Sequence, residues 1–294
     1  MTISAKIEVL YAKLKELNAE TKFASLFQVD EVRDQVEKEL KEQGEEGKYS
    51  QYLKHSNQQA KIIDIMLKHG LILKEQPTPK MPYVYVEFGA GRAGLSSYVA
   101  LKLLELGNKE NVFIAIDRDA RKFKLDKDYK DHMLSYRERM DIADFDLRKF
   151  IGCKEVEIKS DHKIIAIAKH LCGGATDLAL TSMKLQDPSH SLGVTIATCC
   201  HHCCDAKTYV NLPYLLEHFT SEEITVLPRF SSWAVSPQVS APKQRLGFKT
   251  KRILDFGRCK YIEEVLKMDV TPYQYCDAFK ESPESTLLVA TVRQ

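Results

Sequence analysis

The chain contains 294 residues, of which 44% are hydrophobic and 29% are charged. It can therefore bury a sizeable core and is neither disordered nor collagen-like, and no apolar run approaches the roughly 20 residues that a membrane span needs. Residues 1–50 hold 8 Lys/Arg against 11 Asp/Glu within a net charge of +2, so an acidic arm precedes a mildly basic body that is compatible with a nucleic-acid substrate.

The first 75 residues predict helices. Apolar residues recur at helical spacing over 7–17 and over 52–67, and Gly70 ends the second pattern. Three prolines within residues 76–82 predict a linker, because proline does not fit a helix interior. We therefore predict a helical extension with its linker over residues 1–80 and a second domain over residues 81–294. Three roles are considered for this extension, namely covering the sheet, dimerising and clamping RNA. Its excess of acidic residues makes RNA contact the least favoured of the three.

The second domain alternates strand-length apolar runs with helical segments. The predicted strands cover residues 84–88, 112–116, 164–168, 192–197 and 286–292. The helical patterns cover residues 95–106, 174–185 and 210–218. Because the runs are apolar and partly β-branched, as in strands covered on both faces, this alternation predicts an α/β fold with a doubly wound, mostly parallel sheet.

A glycine-rich loop follows the first predicted strand. Gly89, Gly91 and Gly94 form a GxGxxG pattern between a strand and a helix, the context in which such a loop binds a ligand. The candidate ligands are a dinucleotide and S-adenosylmethionine (SAM), and a turn without any ligand is the alternative. Glu87 precedes the loop, where a carboxylate repels a pyrophosphate but suits a cationic amino-sulfonium ligand. The sequence therefore favours SAM.

Polar residues follow the later strands as well. Asp117 ends the second strand, where it is placed to hydrogen-bond both ribose hydroxyls of the ligand. Asp141 lies where a third strand should end, and in this interpretation it faces the adenine amino group. Lys169 and His170 follow the fourth strand, at the edge of the sheet where ligands bind in such folds. These two residues are candidates for a general base or for orienting the substrate, and packing beneath the loop is the alternative.

Eight cysteines and no secretory leader indicate a reducing compartment, so we expect an intracellular protein, cytoplasmic and/or nuclear. Cys200-x-x-Cys203 has the spacing of a zinc knuckle, but no second Cys/His pair of matching spacing accompanies it. We predict an active-site loop without metal, with a zinc site or a buried run of thiols as alternatives. A further alternative is RNA cytosine C5 methylation, with Cys172 and Cys199 as the nucleophile and its companion.

Basic residues concentrate between residues 242 and 260, with Arg229 and Trp233 just upstream. Such a stretch is suited to holding phosphates and stacking a base, and a solvated helix face is the alternative.

Five motifs occur in one order along the chain. They are VEFGAGR from Val86, KHLCG from Lys169, CCHH from Cys199, SSWA from Ser231 and KRILD from Lys251. Together they resemble the eukaryotic tRNA 2′-O-ribose methyltransferase family that modifies the fourth nucleotide, in the acceptor stem. The resemblance covers about residues 80–294.

This resemblance implies a Rossmann-like, SAM-dependent methyltransferase domain over residues 81–294, with strand order 3-2-1-4-5-7-6 and the seventh strand antiparallel. It implies an enzyme that transfers a methyl group from SAM to a ribose 2′-hydroxyl of tRNA. The expected SAM-binding residues are Glu87, Phe88, Gly89, Ala90, Gly91, Asp117, Arg118, Asp141, Ile142 and His170. The expected catalytic residues, in order of preference, are His201, His170 and Lys169. The expected tRNA-binding residues are His202, Arg229, Trp233, Arg245, Lys251, Arg252 and Arg258.

The chain departs from that family in three places. Members typically begin with small Cys/His zinc fingers, and no cysteine precedes Cys153 here. Cys203 stands where the family often has Arg, and Thr250 where it often has Cys. A non-catalytic zinc- or RNA-binding module therefore stays a third alternative beside the ribose and cytosine methyltransferases.

Overall fold

The computed structural model describes residues 1–27, 51–73, 83–120, 124–146, 163–184, 191–236, 238–278 and 281–292. The strands are β1 (Tyr83–Phe88), β2 (Val112–Asp117), β3 (Leu134–Arg139), β4 (Lys163–Cys172), β5 (Ser191–Cys199), β6 (Met268–Gln274) and β7 (Thr286–Val292). The α-helices are α1 (Ile3–Leu17), α2 (Gln51–Lys68), α3 (Gly94–Glu105), α4 (Gly174–Lys184), α5 (Leu212–Leu216), α6 (Ser221–Ser231) and α7 (Ala241–Glu264). The predicted linker over 76–82 lies outside these described ranges.

Within these ranges the strands form one sheet of seven, in the order β3-β2-β1-β4-β5-β7-β6. The first five strands run parallel, and β7 lies antiparallel between β5 and β6. The predicted α/β fold, its strand order and the antiparallel seventh strand are confirmed. The central strands are buried because helices cover both faces of the sheet.

The first helix is part of the sheet's core. Ile7, Leu10, Tyr11 and Leu14 of α1 are buried in the cluster that also contains the inner residues of β1, β4 and β5. Its polar side is joined to the rest of the chain by ion pairs, one of which links Lys6 Nζ to a carboxylate oxygen of α6 at 2.7 Å. Of the roles considered for the extension, α1 thus covers one face of the sheet, while the division into two domains at residue 80 stays a prediction.

Three elements had weak sequence signals. Strand β3 has no fully buried residue because it lies at the sheet edge, and β6 carries Pro272. Helix α6 contains Pro228, a residue that usually marks a break, yet Thr220 and Glu223 form a capping box at its start. That capping box is the local signal that identifies α6.

None of the helices in the described ranges combines the length and the apolar character of a membrane span.

Candidate active site

A cleft of about 570 Å³ lies at the carboxyl ends of β1, β2 and β4. The residues expected to bind SAM that line it are Gly89, Asp117, Arg118, Asp141, Ile142 and His170. They come from four separate stretches of sequence and meet because parallel strands end at the same edge of the sheet. The structure therefore brings the larger part of that set around one space.

The glycine loop between β1 and α3 needs its glycines for two reasons. Gly89 and Gly91 have φ angles of +61° and +52°, a region that residues with a Cβ rarely adopt. A Cβ on Gly89 would also lie 2.7 Å from Leu171 Cδ1, which is closer than real side-chain contacts. The absence of side chains at these positions therefore lets the loop backbone pass close to both Leu171 and the cleft.

Asp117 connects this loop to the cleft. Its Oδ2 accepts a hydrogen bond from Gly91 N at 2.7 Å, and its Oδ1 accepts one from Asp119 N at 2.8 Å. Asp141 accepts a hydrogen bond from Ala143 N at 3.0 Å and lies 3.5 Å from the guanidinium of the exposed Arg118. Both carboxylates are only partly buried, so each keeps lone pairs for a ligand.

Glu87, Phe88 and Ala90 lie beneath the cleft rather than on its wall, and their contact with SAM stays a prediction. They lie there because β1 is a central strand covered on both faces. Glu87 Oε2 accepts a hydrogen bond from Ser96 N at 2.9 Å, in the first turn of α3. Burial raises the pKa of Glu87 to about 7. Glu87 thus anchors the start of α3.

Replacing Glu87 by Gln should stabilise the fold at high pH. Because the folded pKa of about 7 exceeds the ordinary 4.5, the folded protein holds a proton that the unfolded chain releases within this window, so stability falls as pH rises through it. We expect Glu87→Gln to unfold with up to about 3 kcal/mol more free energy than wild type near pH 8, and with little difference near pH 4.5. Urea unfolding at several pH values measures this, and a Glu87→Gln protein less stable than wild type near pH 8 contradicts it.

His201, the first-ranked catalytic candidate, does not reach the cleft. Its side chain is 1% exposed, and its Nε2 lies 2.8 Å from Asp255 Oδ1 on α7. Burial lowers the pKa of His201 below its ordinary value. The expectation of direct catalysis by His201 is therefore wrong, because a ribose hydroxyl cannot approach a side chain packed between β5 and α7.

The other two catalytic candidates lie at the end of β4. His170 lines the cleft with φ of 60°, an unusual conformation for a residue with a Cβ. Lys169 is partly buried, and this burial lowers its pKa to about 8. A lysine with that pKa is partly neutral near physiological pH and is suited to accept a proton.

Burial also corrects the interpretation of the basic stretch. Lys251, Arg252 and Arg258 of α7 are each no more than 2% exposed, so they are not available to RNA phosphates. Arg258 donates to both carboxylate oxygens of Asp177, at 3.0 and 2.7 Å, and to Asp255 at 3.1 Å. The physical reason is that α7 packs between the sheet, α1 and α6, so its inward cations need buried carboxylates as partners.

The remaining expected RNA contacts stay near the surface. His202 and Arg229 are exposed, and Arg245 is partly exposed. Trp233 is partly exposed, packs edge-on against Phe230 with ring centroids 4.8 Å apart, and has the ammonium of Lys243 5.4 Å from its ring centroid. Their contact with RNA stays a prediction.

The structure brings Cys172 together with Cys199 and Cys200, from which it is separated in sequence. Cys172 and Cys199 are register partners at the ends of β4 and β5, with their Sγ atoms 3.4 Å apart, and Cys200 is the next residue. The Cys199 thiol donates to Cys172 and lowers the pKa of Cys172 to about 6. Cys203, the other half of the knuckle spacing, lies outside this group. The signal that identifies the group is the strand pairing, which the sequence spacing does not reveal.

The sequence is similar to one family of known proteins. A family model described as Methyltransferase TRM13 matches residues 57–243. The tRNA:m(4)X modification enzyme TRM13 of Vanderwaltozyma polyspora is 30% identical, over 72% of this chain and 56% of that protein. Its namesake from Scheffersomyces stipitis is 33% identical, over 72% of this chain and 59% of that protein. The chain thus spans less than two thirds of the length of these curated relatives.

Among solved structures, the plantazolicin methyltransferase BpumL aligns over 99% of both chains with 13% identity and a TM-score of 0.37. A similarity this distant supports no conclusion about function.

Proposed function

The chain belongs to the TRM13 methyltransferase family, and from this premise we propose that it transfers a methyl group from SAM to a ribose 2′-hydroxyl of tRNA, at the fourth nucleotide in the acceptor stem. The names of the curated relatives, tRNA:m(4)X modification enzymes, support tRNA as the substrate class. The observation that carries the proposal is the cleft that joins the glycine loop, Asp117 and Asp141 to the end of β4.

The charge of the cleft distinguishes between the two ligands that fit a glycine loop. The acidic residues on its wall are Asp117, Asp119, Asp141 and Asp205, and its lysine and arginine side chains are limited, among the described residues, to Arg118. A dinucleotide would bring a pyrophosphate into this acidic surrounding, whereas SAM carries a sulfonium and an ammonium group. The cleft therefore favours SAM.

The residues present fit SAM part by part. Asp117 lies at the position expected for the ribose and has lone pairs that can accept hydrogen bonds from its two hydroxyls. Asp141 can likewise accept a hydrogen bond from the adenine amino group. Ile142 and Leu178 supply apolar wall for the base. SAM supplies an electrophilic methyl group when bound. The protein's part is to hold the hydroxyl in line with the methyl group and sulfur, and to accept the hydroxyl proton.

We assign the acceptor side to Lys169 and His170. Both lie near the end of β4, next to the loop that shapes the donor side. His170 is on the cleft wall, whereas Lys169, the residue before it on the strand, does not line the cleft. Lys243 is an exposed cation beside the partly exposed Trp233, and Arg229 is exposed on α6. A cation beside an aromatic ring is suited to a phosphate and an unstacked base. In this arrangement the inward cations of α7 support the fold, and the outward ones contact tRNA.

Asp117→Asn should weaken SAM binding by roughly 30- to 100-fold, because asparagine keeps one acceptor for the Gly91 amide but loses the charged acceptor facing the ribose. Equilibrium binding of SAM to the purified chain measures this effect. The control is Asp131→Asn, an exposed carboxylate away from the cleft, which should bind SAM like wild type. An Asp117→Asn protein that binds SAM with wild-type affinity would contradict the assignment of this cleft as the SAM site.

The proposed reaction is tested with SAM labelled in its methyl group and an unmodified tRNA transcript. We expect label in the RNA, and loss of that label when the same tRNA carries a 2′-deoxyribose at the fourth nucleotide. Label that persists on the deoxy substrate would place the methyl group elsewhere. Failure to label either RNA while SAM still binds would overturn the proposal that this chain by itself methylates tRNA.

A further inference from the structure

Three cysteine sulfurs converge at the rim of the cleft. In the described part of the chain, Cys172, Cys199 and Cys200 form a group in which all three Sγ atoms lie within 4.8 Å of one another. Cys172 is exposed and lines the cleft, Cys199 is buried, and Cys200 is partly buried. The group therefore has one side closed by protein and one side open to the cleft.

The backbone around the sulfurs is fixed on both strands. Cys172 and Cys199 are register partners, and Gly173 N donates to the Cys199 carbonyl at 3.0 Å. Cys200 adopts φ of 46°, and its N–H donates to Glu284 at 3.2 Å. Glu284 is in turn held by Lys251 Nζ at 2.6 Å. The three sulfurs are thus presented by elements that the fold holds in place, which is what a preorganised ligand set requires.

The spacing of the sulfurs suits one thiophilic cation. Four tetrahedral ligands at about 2.3 Å from Zn²⁺ place neighbouring sulfurs about 3.8 Å apart. Here one pair is 3.4 Å apart and no pair exceeds 4.8 Å, so side-chain adjustments of less than about 1 Å reach that geometry. Thiolate sulfur favours zinc over the hard cations magnesium and calcium.

We propose that Cys172, Cys199 and Cys200 bind one zinc ion at the rim of the cleft, and that its fourth position is taken by water. Three protein ligands with a fourth position open to solvent are the arrangement of reactive rather than purely structural zinc sites. The ligand set differs from the knuckle spacing in the sequence, because Cys203 is excluded and Cys172, from another strand, is included. Metal binding at this site can be measured without the methyl-transfer reaction.

The test is a cobalt titration of the full chain, purified with a thiol reductant, stripped with a chelator and then freed of both. Co²⁺ bound to thiolates gives a sulfur-to-metal charge-transfer absorption, and added Zn²⁺ should displace it. We expect saturation at about one equivalent of Co²⁺. Cys172→Ser should weaken binding by more than roughly 100-fold, since it removes a direct ligand. Cys172 is exposed, so this variant should keep its fold, which circular dichroism checks.

The matched control is Cys203→Ser, which removes an exposed cysteine of the neighbouring loop and should leave the titration unchanged. Equal losses in Cys203→Ser and Cys172→Ser would overturn the proposed ligand set. Absence of a charge-transfer band from the reduced wild-type chain would overturn the metal site itself. If mass spectrometry of the untreated chain instead finds a Cys172–Cys199 disulfide and no band appears after reduction, the pair is a redox couple and the zinc proposal is wrong.

Discussion

Arg258→Met should destabilise the fold by about 3–5 kcal/mol, the largest effect on stability that we expect from a single substitution. Arg258 is fully buried and pairs with both Asp177 and Asp255, so its removal leaves two carboxylates in the protein interior with a lost partner. Burial alone would raise the pKa of Asp255, but His201 and Arg258 together hold it well below its ordinary value. Urea unfolding followed by circular dichroism at neutral pH measures the loss.

The control is Arg229→Met, an exposed arginine whose loss should change stability by less than about 0.5 kcal/mol. A second variant, Arg258→Met with Asp177→Asn, should recover part of the loss because it removes one unpaired charge. If Arg258→Met unfolds within about 1 kcal/mol of wild type, the buried ion pair between Arg258 and Asp177 is not what holds α7 against α4.

Lys169→Met should lower the rate of methyl transfer by roughly 100-fold or more, because it removes the group that we assign to accept the hydroxyl proton. Single-turnover rates on tRNA with saturating SAM separate this loss from any loss of binding. Since the neutral amine is the active form and burial lowers the pKa of Lys169 to about 8, the wild-type rate should rise with pH and level off above about 8. The variant should lack that rise.

Lys163→Met is the matched control, because Lys163 lies at the opposite end of the same strand, and its rate should equal that of wild type. A wild-type rate that falls above about pH 8 would mean that the ammonium form is required, and the base assignment would be wrong. If Lys169→Met stays within a few-fold of wild type, positioning by the cleft is sufficient for the reaction.

The donor side of the site could be predicted because its signals are local. The glycine loop directly follows the apolar run of β1, and Asp117 directly ends the apolar run of β2, so each is recognised from its own short stretch of sequence. The strand order follows from the family resemblance. The burial of Glu87 could not be predicted, because sequence alone does not give the burial of one side chain on a central strand.

The acceptor side of the site was harder to predict, because the residues that decide which side chains are buried there are distant from one another in sequence. Arg258 finds its partner Asp177 at a separation of 81 residues, and His201 finds Asp255 at a separation of 54. Without those pairings, the basic residues of α7 resemble a nucleic-acid surface and His201 resembles an exposed base. The cysteine group has the same origin, since Cys172 and Cys199 are 27 residues apart and meet only through the pairing of β4 and β5.

The most direct test of the central claim is the identity of the methylated nucleoside. Purified chain, total tRNA and labelled SAM are incubated, the RNA is digested to nucleosides, and the labelled product is identified by mass spectrometry. The account predicts a 2′-O-methylated nucleoside. A 5-methylcytidine product would contradict it, and would transfer the chemistry to the exposed Cys172 on the wall of the cleft.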